Sequence, residues 1–179
     1  MKLSEFSRKL KDFNSISDID LKVKNLKLVL SQIKKINLKS NRHDKLKLVI
    51  QSALEISGCT RGAIMILNNG ELEFKTGLNL DDKTIPEREF NISYSICSDV
   101  LKTGKSIFLE KAQADNKFSP TQSILSLNLQ TIFCSPLIAE NEKIGVLYTD
   151  CQSLSGKNMD AVQEYFEMFA EHAAIALQS

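Results

Sequence analysis

The sequence has no tryptophan, two histidines, three prolines and seven glycines in 179 residues. So little proline and glycine excludes collagen-like and low-complexity chains. No apolar run approaches the ~20 residues of a membrane span. The opening stretch Met1-Lys2-Leu3-Ser4-Glu5-Phe6 lacks the apolar core of a secretory signal. A cytoplasmic protein with no membrane partner is therefore expected. The four cysteines, Cys59, Cys97, Cys134 and Cys151, include no C-x-x-C pair, which leaves zinc ribbons and thioredoxin-like motifs unsupported. With only His43 and His172 available, no Cys/His metal cage is predicted. In a reducing compartment the cysteines read as small buried hydrophobes.

What is present is a globular balance, 42% hydrophobic and 25% charged residues, enough for one domain with an added helix. Charge is balanced overall but split along the chain. Residues 1–50 carry a net +8 and residues 51–179 a net −7. Such a basic arm can mark nucleic-acid binding, but Lys outnumbers Arg 19 to 4 and Arg is the favoured phosphate reader. A nucleic-acid partner is not expected.

Residues 1–40 contain no Gly or Pro and read as a helical segment. Leu3, Phe6, Leu10 and Phe13 form one stripe, broken at Asn14-Ser15-Ile16-Ser17, where Ser17 reads as the N-cap of a second helix. Ile19, Val23, Leu26, Leu30 and Ile33 follow at heptad spacing, with Asn37 at the next seam position. That stripe can pair with a second chain as a coiled coil or pack on its own domain.

Residues 41–179 read as one mixed domain. A helix runs from the Ser40–Asp44 break to Ser57, ended by Gly58. Ala63–Leu67 and the alternating Leu72, Phe74, Thr76 and Leu78 form a hairpin about Asn68-Asn69-Gly70. Residues 79–92 read as loop. Ser93 caps a short helix using Ile96, Val100 and Leu101, closed by Gly104. Ser106–Leu109 is a strand, 110–122 a long connection and 121–128 a short helix. Thr131–Ile138 and Lys143–Cys151 form a second hairpin across Glu140-Asn141-Glu142, which places Cys134 opposite Thr149 and near Cys151. A last helix starts near Asn158, with Val162, Phe166, Phe169, Ala173 and Leu177 inside, and Tyr165, Met168, His172 and Ile175 as a second apolar stripe. Hairpins joined to helices give an α+β antiparallel sheet with helices on its faces.

Catalytic motifs are absent. Gly104-Lys105-Ser106 is no phosphate loop, because Asp99 occupies the first glycine position. The pattern leaves binding geometry. Ser93 opens a helix whose free N–H groups suit an anion. Ser95 and Ile96 follow it. Asn116, Lys117 and Phe118 supply an amide, a cation and an aromatic face on a long connection. Asp150 ends a buried strand and needs a partner, with a loop amide or a ligand as the candidates. Cys134 lies on an inner strand.

The segments Ala53–Met65, Glu89–Ile96, Asp115–Ser119, Cys134–Leu137, Ile144–Asp150 and Ala173–Leu177, in this order and spacing, resemble a GAF domain over residues 41–178. The resemblance is to bacterial GAF modules of transcription activators, kinases and nucleotide cyclases. It implies a sheet of five or six strands, a small-molecule pocket over one sheet face, and homodimers through the N- and C-terminal helices. It implies no particular cofactor. Asn116-Lys117-Phe118 resembles part of the Asn-Lys-Phe-Asp-Glu signature of cyclic-nucleotide GAF domains, without the Asp-Glu. The sequence ends at Ser179, so a free-standing module is expected. The reading is a non-catalytic sensory or regulatory module that binds a small ligand or a separate signalling protein at Ser93, Ser95, Ile96, Asn116, Lys117, Phe118, Cys134 and Asp150. The alternatives are a pure dimerisation scaffold and a thiol-dependent free methionine sulfoxide reductase. The reductase family carries a tryptophan-bearing segment, and this chain has none.

Overall fold

A computed structural model describes residues 3–90, 94–112, 130–154 and 158–179 of the chain. Helix α1 runs Leu3–Asn37 and α2 Arg42–Ser57. Strands β1 (Arg61–Asn68) and β2 (Glu71–Asn79) follow, then the short α3 (Glu87–Phe90) and α4 (Tyr94–Thr103). Strands β3 (Ile107–Leu109), β4 (Thr131–Ala139) and β5 (Glu142–Cys151) precede α5 (Met159–Gln178). The five strands make one antiparallel sheet ordered β2-β1-β5-β4-β3.

The expected break at Asn14–Ser17 is not a break: α1 passes through it without interruption. Each Asn or Ser inside a helix costs only about half a kcal/mol against alanine, and no Gly or Pro stands there. The next boundary is real. Asn41 caps α2 by accepting a hydrogen bond from the His43 N–H at 2.8 Å. Gly58, at φ 76°, ends it with its N–H on the Leu54 carbonyl. Residues 79–92, expected as loop, include α3 and a bridge between Leu78 and Thr84. The helix expected over 121–128 lies outside the described residues.

Both hairpins close on two-residue turns of positive φ. Asn69 and Gly70 make the first, and Glu140 and Asn141 the second. This leaves Glu142 in β5 rather than in the turn. Each hairpin also holds an irregularity that sequence alternation conceals. Ile64 faces Thr76 but Met65 faces Phe74, so Lys75 is a bulge. Side chains past a bulge change face. Leu78 therefore packs on one side of the sheet while Leu72 and Phe74 pack on the other.

The sheet separates two hydrophobic clusters. On one face α1, α2 and α5 lie over Ile64, Ile66, Leu78, Phe133 and Leu147. Phe108, Phe133 and Phe166 pack there edge-on and tilted, with ring centroids 5.4–6.4 Å apart. Buried Lys45 of α2 donates to the Ala176 carbonyl at 2.9 Å and binds α2 to the end of α5. On the other face α4 covers Met65, Ile132, Cys134, Val146 and Tyr148.

Helix α1 joins the first cluster through Val29 and Ile36, both buried. Gln32 between them donates to Glu55 at 2.6 Å and accepts from the Ser52 hydroxyl at 3.2 Å. Of the heptad stripe, Ile33 also packs against this cluster, and the other four members lie elsewhere on the helix. Ile19, Val23, Leu26 and Leu30 are 59%, 42%, 38% and 63% exposed. Helix α1 therefore has an inner apolar face that is covered and an outer one that is bare in the single chain. Helix α5 keeps Val162, Phe166, Phe169, Ala173 and Leu177 inside, as expected. Of its second stripe, Tyr165 is buried while His172 and Ile175 are exposed.

Candidate functional site

The face beneath α4 is where the sequence places its ligand. Helix α4 lies over the sheet because Ile96 and Cys97, with Val100 one turn on, point inward. They meet Cys134, Val146 and Tyr148, all with no exposed surface. The structure thus brings together Ile96 and Cys134 of the predicted residues. Ser95 is on the exposed side of α4. Ser93, Asn116, Lys117 and Phe118 lie outside the described residues.

Asp150, with Val146 and Tyr148 on the same face of β5 by alternation, closes one end. Its buried carboxylate does not cap a loop amide. It accepts from Arg61 twice, Oδ1 from Nε at 2.9 Å and Oδ2 from Nη2 at 2.8 Å. The β1–β5 register makes this so, since Arg61 and Asp150 are directly opposed. Burial pushes the Asp150 carboxyl above the usual range, with Arg61 working against it. Burial also opposes the Arg61 charge, but the hydrogen bonds and charge of Asp150 outweigh it and raise its pKa. For Tyr148, burial comes first and the Asp150 charge second in holding the phenol protonated.

Cys134 faces Tyr148, not Thr149. The two-residue turn sets Ala139 against Glu142 and Ile138 against Lys143, and the register shift that follows adds one β5 residue, so that Leu137 faces Gly145 and Cys134 faces Tyr148. Cys134 and Cys151 consequently stand on opposite faces of the sheet and are not neighbours. The neighbour of Cys134 is Cys97, Sγ to Sγ 4.0 Å. Burial, and then Cys97 itself, pushes the Cys134 thiol well up.

Sequence reading missed Arg61, Tyr148 and Cys97 as parts of this face. Cys97 had a signal: it precedes Leu101 by one turn on a helix already read as amphipathic. Arg61 and Tyr148 had none without the register. Among the described residues, no three His, Cys, Asp or Glu side chains group as a metal site. Several clefts lined by described residues lie away from this face. One of about 260 Å³ runs between α1 and α5 past Leu21, Leu28 and Tyr165. Another of about 640 Å³ lies beside Ser106, Ser135 and Glu171. No described helix is long and apolar enough to cross a membrane.

The face presents an apolar floor, two thiols, a phenol and an ion pair at one end.

The family profile described as GAF domain matches residues 45–179. No curated protein matches the chain in sequence. Solved structures share the fold. The GAF domain of a phosphoenolpyruvate-protein phosphotransferase from Coxiella burnetii is 17% identical with a TM-score of 0.67, covering 88% of this chain and 94% of that one. The corresponding Acinetobacter GAF domain is 14% identical at 0.63, covering 86% and 92%. A free methionine-R-sulfoxide reductase from Neisseria meningitidis, solved with its substrate, is 15% identical at 0.64, covering 86% and 88%.

Proposed function

Because the chain belongs to the GAF domain family, we propose that it is a non-catalytic sensory or regulatory module that works as a homodimer through its terminal helices. The observation that carries this is the two-sided α1. Its inner face is fixed to α2 and α5 by Val29, Gln32 and Ile36. Its outer face presents Ile19, Val23, Leu26 and Leu30 in a seam. Such a row on a soluble surface marks an interaction site. Eight side chains from two copies supply about 12 kcal/mol at ~1.5 each, against an association cost of about 4–15. Pairing of that strength can be shifted by a modest change in the core. The signal is a difference in affinity between two helix arrangements.

The ligand face in this reading is the one beneath α4. Ile96, Cys134 and the Arg61–Asp150 end form its described part; of the other residues expected to bind, Ser95 is on the exposed side of α4, and Ser93, Asn116, Lys117 and Phe118 lie outside the described residues. The non-catalytic reading is supported by the chemistry of the groups. Cys134 keeps its proton, and both Asp150 oxygens are held by Arg61.

Leu30→Asp tests the pairing, since it sets a charge in the seam of each copy and leaves the inner face alone. Sedimentation velocity across a concentration series is expected to show a wild-type dimer and a variant weakened at least ~100-fold, with unchanged circular dichroism. A variant dimer of wild-type strength would refute pairing through α1.

A further inference from the structure

The four cysteines form two buried pairs, one on each side of the sheet. Cys59 and Cys151 lie near each other on the face under α1, α2 and α5, where each shifts the other's thiol. Cys97 and Cys134 lie on the other face, 4.0 Å apart. Only the second pair joins a helix to the sheet across the candidate ligand face.

We propose that Cys97 and Cys134 are a redox pair whose reversible disulfide staples α4 to β4 and closes that face. The inference rests on the packing of α4 over the sheet and not on the dimer. A disulfide needs the sulfurs at about 2.05 Å, so they must approach by ~2 Å. Side-chain rotation and a small shift of α4 supply that, because α4 is ten residues long and exposed along its outer side.

A hydroperoxide is the oxidant class. Cys97 is on α4 and faces the sheet. Its sulfur attacks a peroxide oxygen, the O–O bond breaks, its thiol proton goes to the oxygen that departs, and an alcohol or water leaves. Cys97 is then a sulfenic acid. The Cys134 sulfur attacks the Cys97 sulfur, the S–O bond breaks, and the departing hydroxide takes the Cys134 proton as water. Two thiols and one hydroperoxide give one disulfide, one alcohol and one water. A thiol reductant reverses the change. Both thiols are buried, so oxidation waits on opening of α4 and requires sustained peroxide.

The test treats the whole protein with hydrogen peroxide, alkylates the remaining thiols after unfolding, and digests with trypsin without reduction. The four cysteines fall in separate tryptic peptides, 48–61, 89–102, 118–143 and 144–157, so every pairing has its own mass. The expected product links 89–102 to 118–143 with loss of two hydrogens. In the folded oxidised protein, amide exchange along α4 is expected to slow at least tenfold and to recover with dithiothreitol. A Cys59→Ser, Cys151→Ser double variant keeps the link. Cys134→Ala loses it and leaves a Cys97 sulfenic acid that dimedone traps. Recovery of Cys97 and Cys134 both alkylated after peroxide, or Cys97 linked to another peptide, would overturn the redox pair. The link formed with unchanged α4 exchange would overturn the staple.

Discussion

Replacing Gly145 with alanine is expected to unfold the protein or to destabilise it by about 4 kcal/mol or more. Gly145 lies in β5 opposite Ile66 of β1 and Leu137 of β4. A Cβ there would sit 2.2 Å from the Met65 carbonyl oxygen and 3.0 Å from the Ile66 Cα. These are backbone atoms, so no side-chain rotation relieves the clash. Ordinary overpacking costs about 1–3 kcal/mol because neighbours yield. Here relief requires parting β1 from β5, the pairing that fixes Arg61 opposite Asp150. Chemical denaturation of Gly145→Ala measures the loss, and a variant within about 1 kcal/mol of wild type would show that β1 and β5 do not approach so closely. Gly70→Ala is the useful contrast. Its position has no neighbour within 4 Å, so only the positive φ of 88° is at stake.

Arg61→Met is expected to cost about 3–5 kcal/mol at neutral pH, the range for removing one partner of a buried pair. The Asp150 carboxylate would be left in the interior without its guanidinium. Asp150→Asn should cost clearly less, because a neutral amide escapes the burial that already pushes the Asp150 carboxyl up. The two variants also differ in pH dependence. In Arg61→Met burial loses its main opponent, so the folded chain holds the Asp150 proton to higher pH than the unfolded chain does. Stability then falls as pH rises through and above the ordinary carboxylate range. The deficit of Arg61→Met against wild type is therefore small in acid and largest at neutral pH. Urea titrations at several pH values check this. A deficit that grows on acidification would contradict it.

The elements were legible in the sequence where a local rule decides them. Asn41, Gly58, Asn69-Gly70 and Gly104 each mark a cap or a positive-φ turn, and the helix faces followed from apolar spacing. Register was not legible. Lys75 continues a clean alternation in sequence, yet it is the bulge that sends Leu78 to the opposite face. The extra β5 residue at the Leu137–Ile138 shift, which no sequence pattern signals, sets Leu137 against Gly145 and so Cys134 against Tyr148 rather than Thr149. The predicted interruption of α1 failed because Asn and Ser inside a helix cost little and no Gly or Pro stands there to stop it.

The candidate site divides in the same way. Ile96 is placed by helical spacing, and Asp150 was rightly seen as a buried carboxylate needing a partner. Its partner Arg61 is 89 residues away in sequence, and only the β1–β5 ladder brings it there. The Cys97–Cys134 proximity likewise depends on α4 crossing β4, which no spacing within either element encodes.

The central claim is that the bare outer face of α1 exists to pair with a second copy. A native mass spectrum of the purified protein at micromolar concentration tests it most directly. A species of twice the 20.1 kDa chain mass is expected, and Leu30→Asp converts it to the single chain. A wild-type protein found only at the single-chain mass across that range would contradict it.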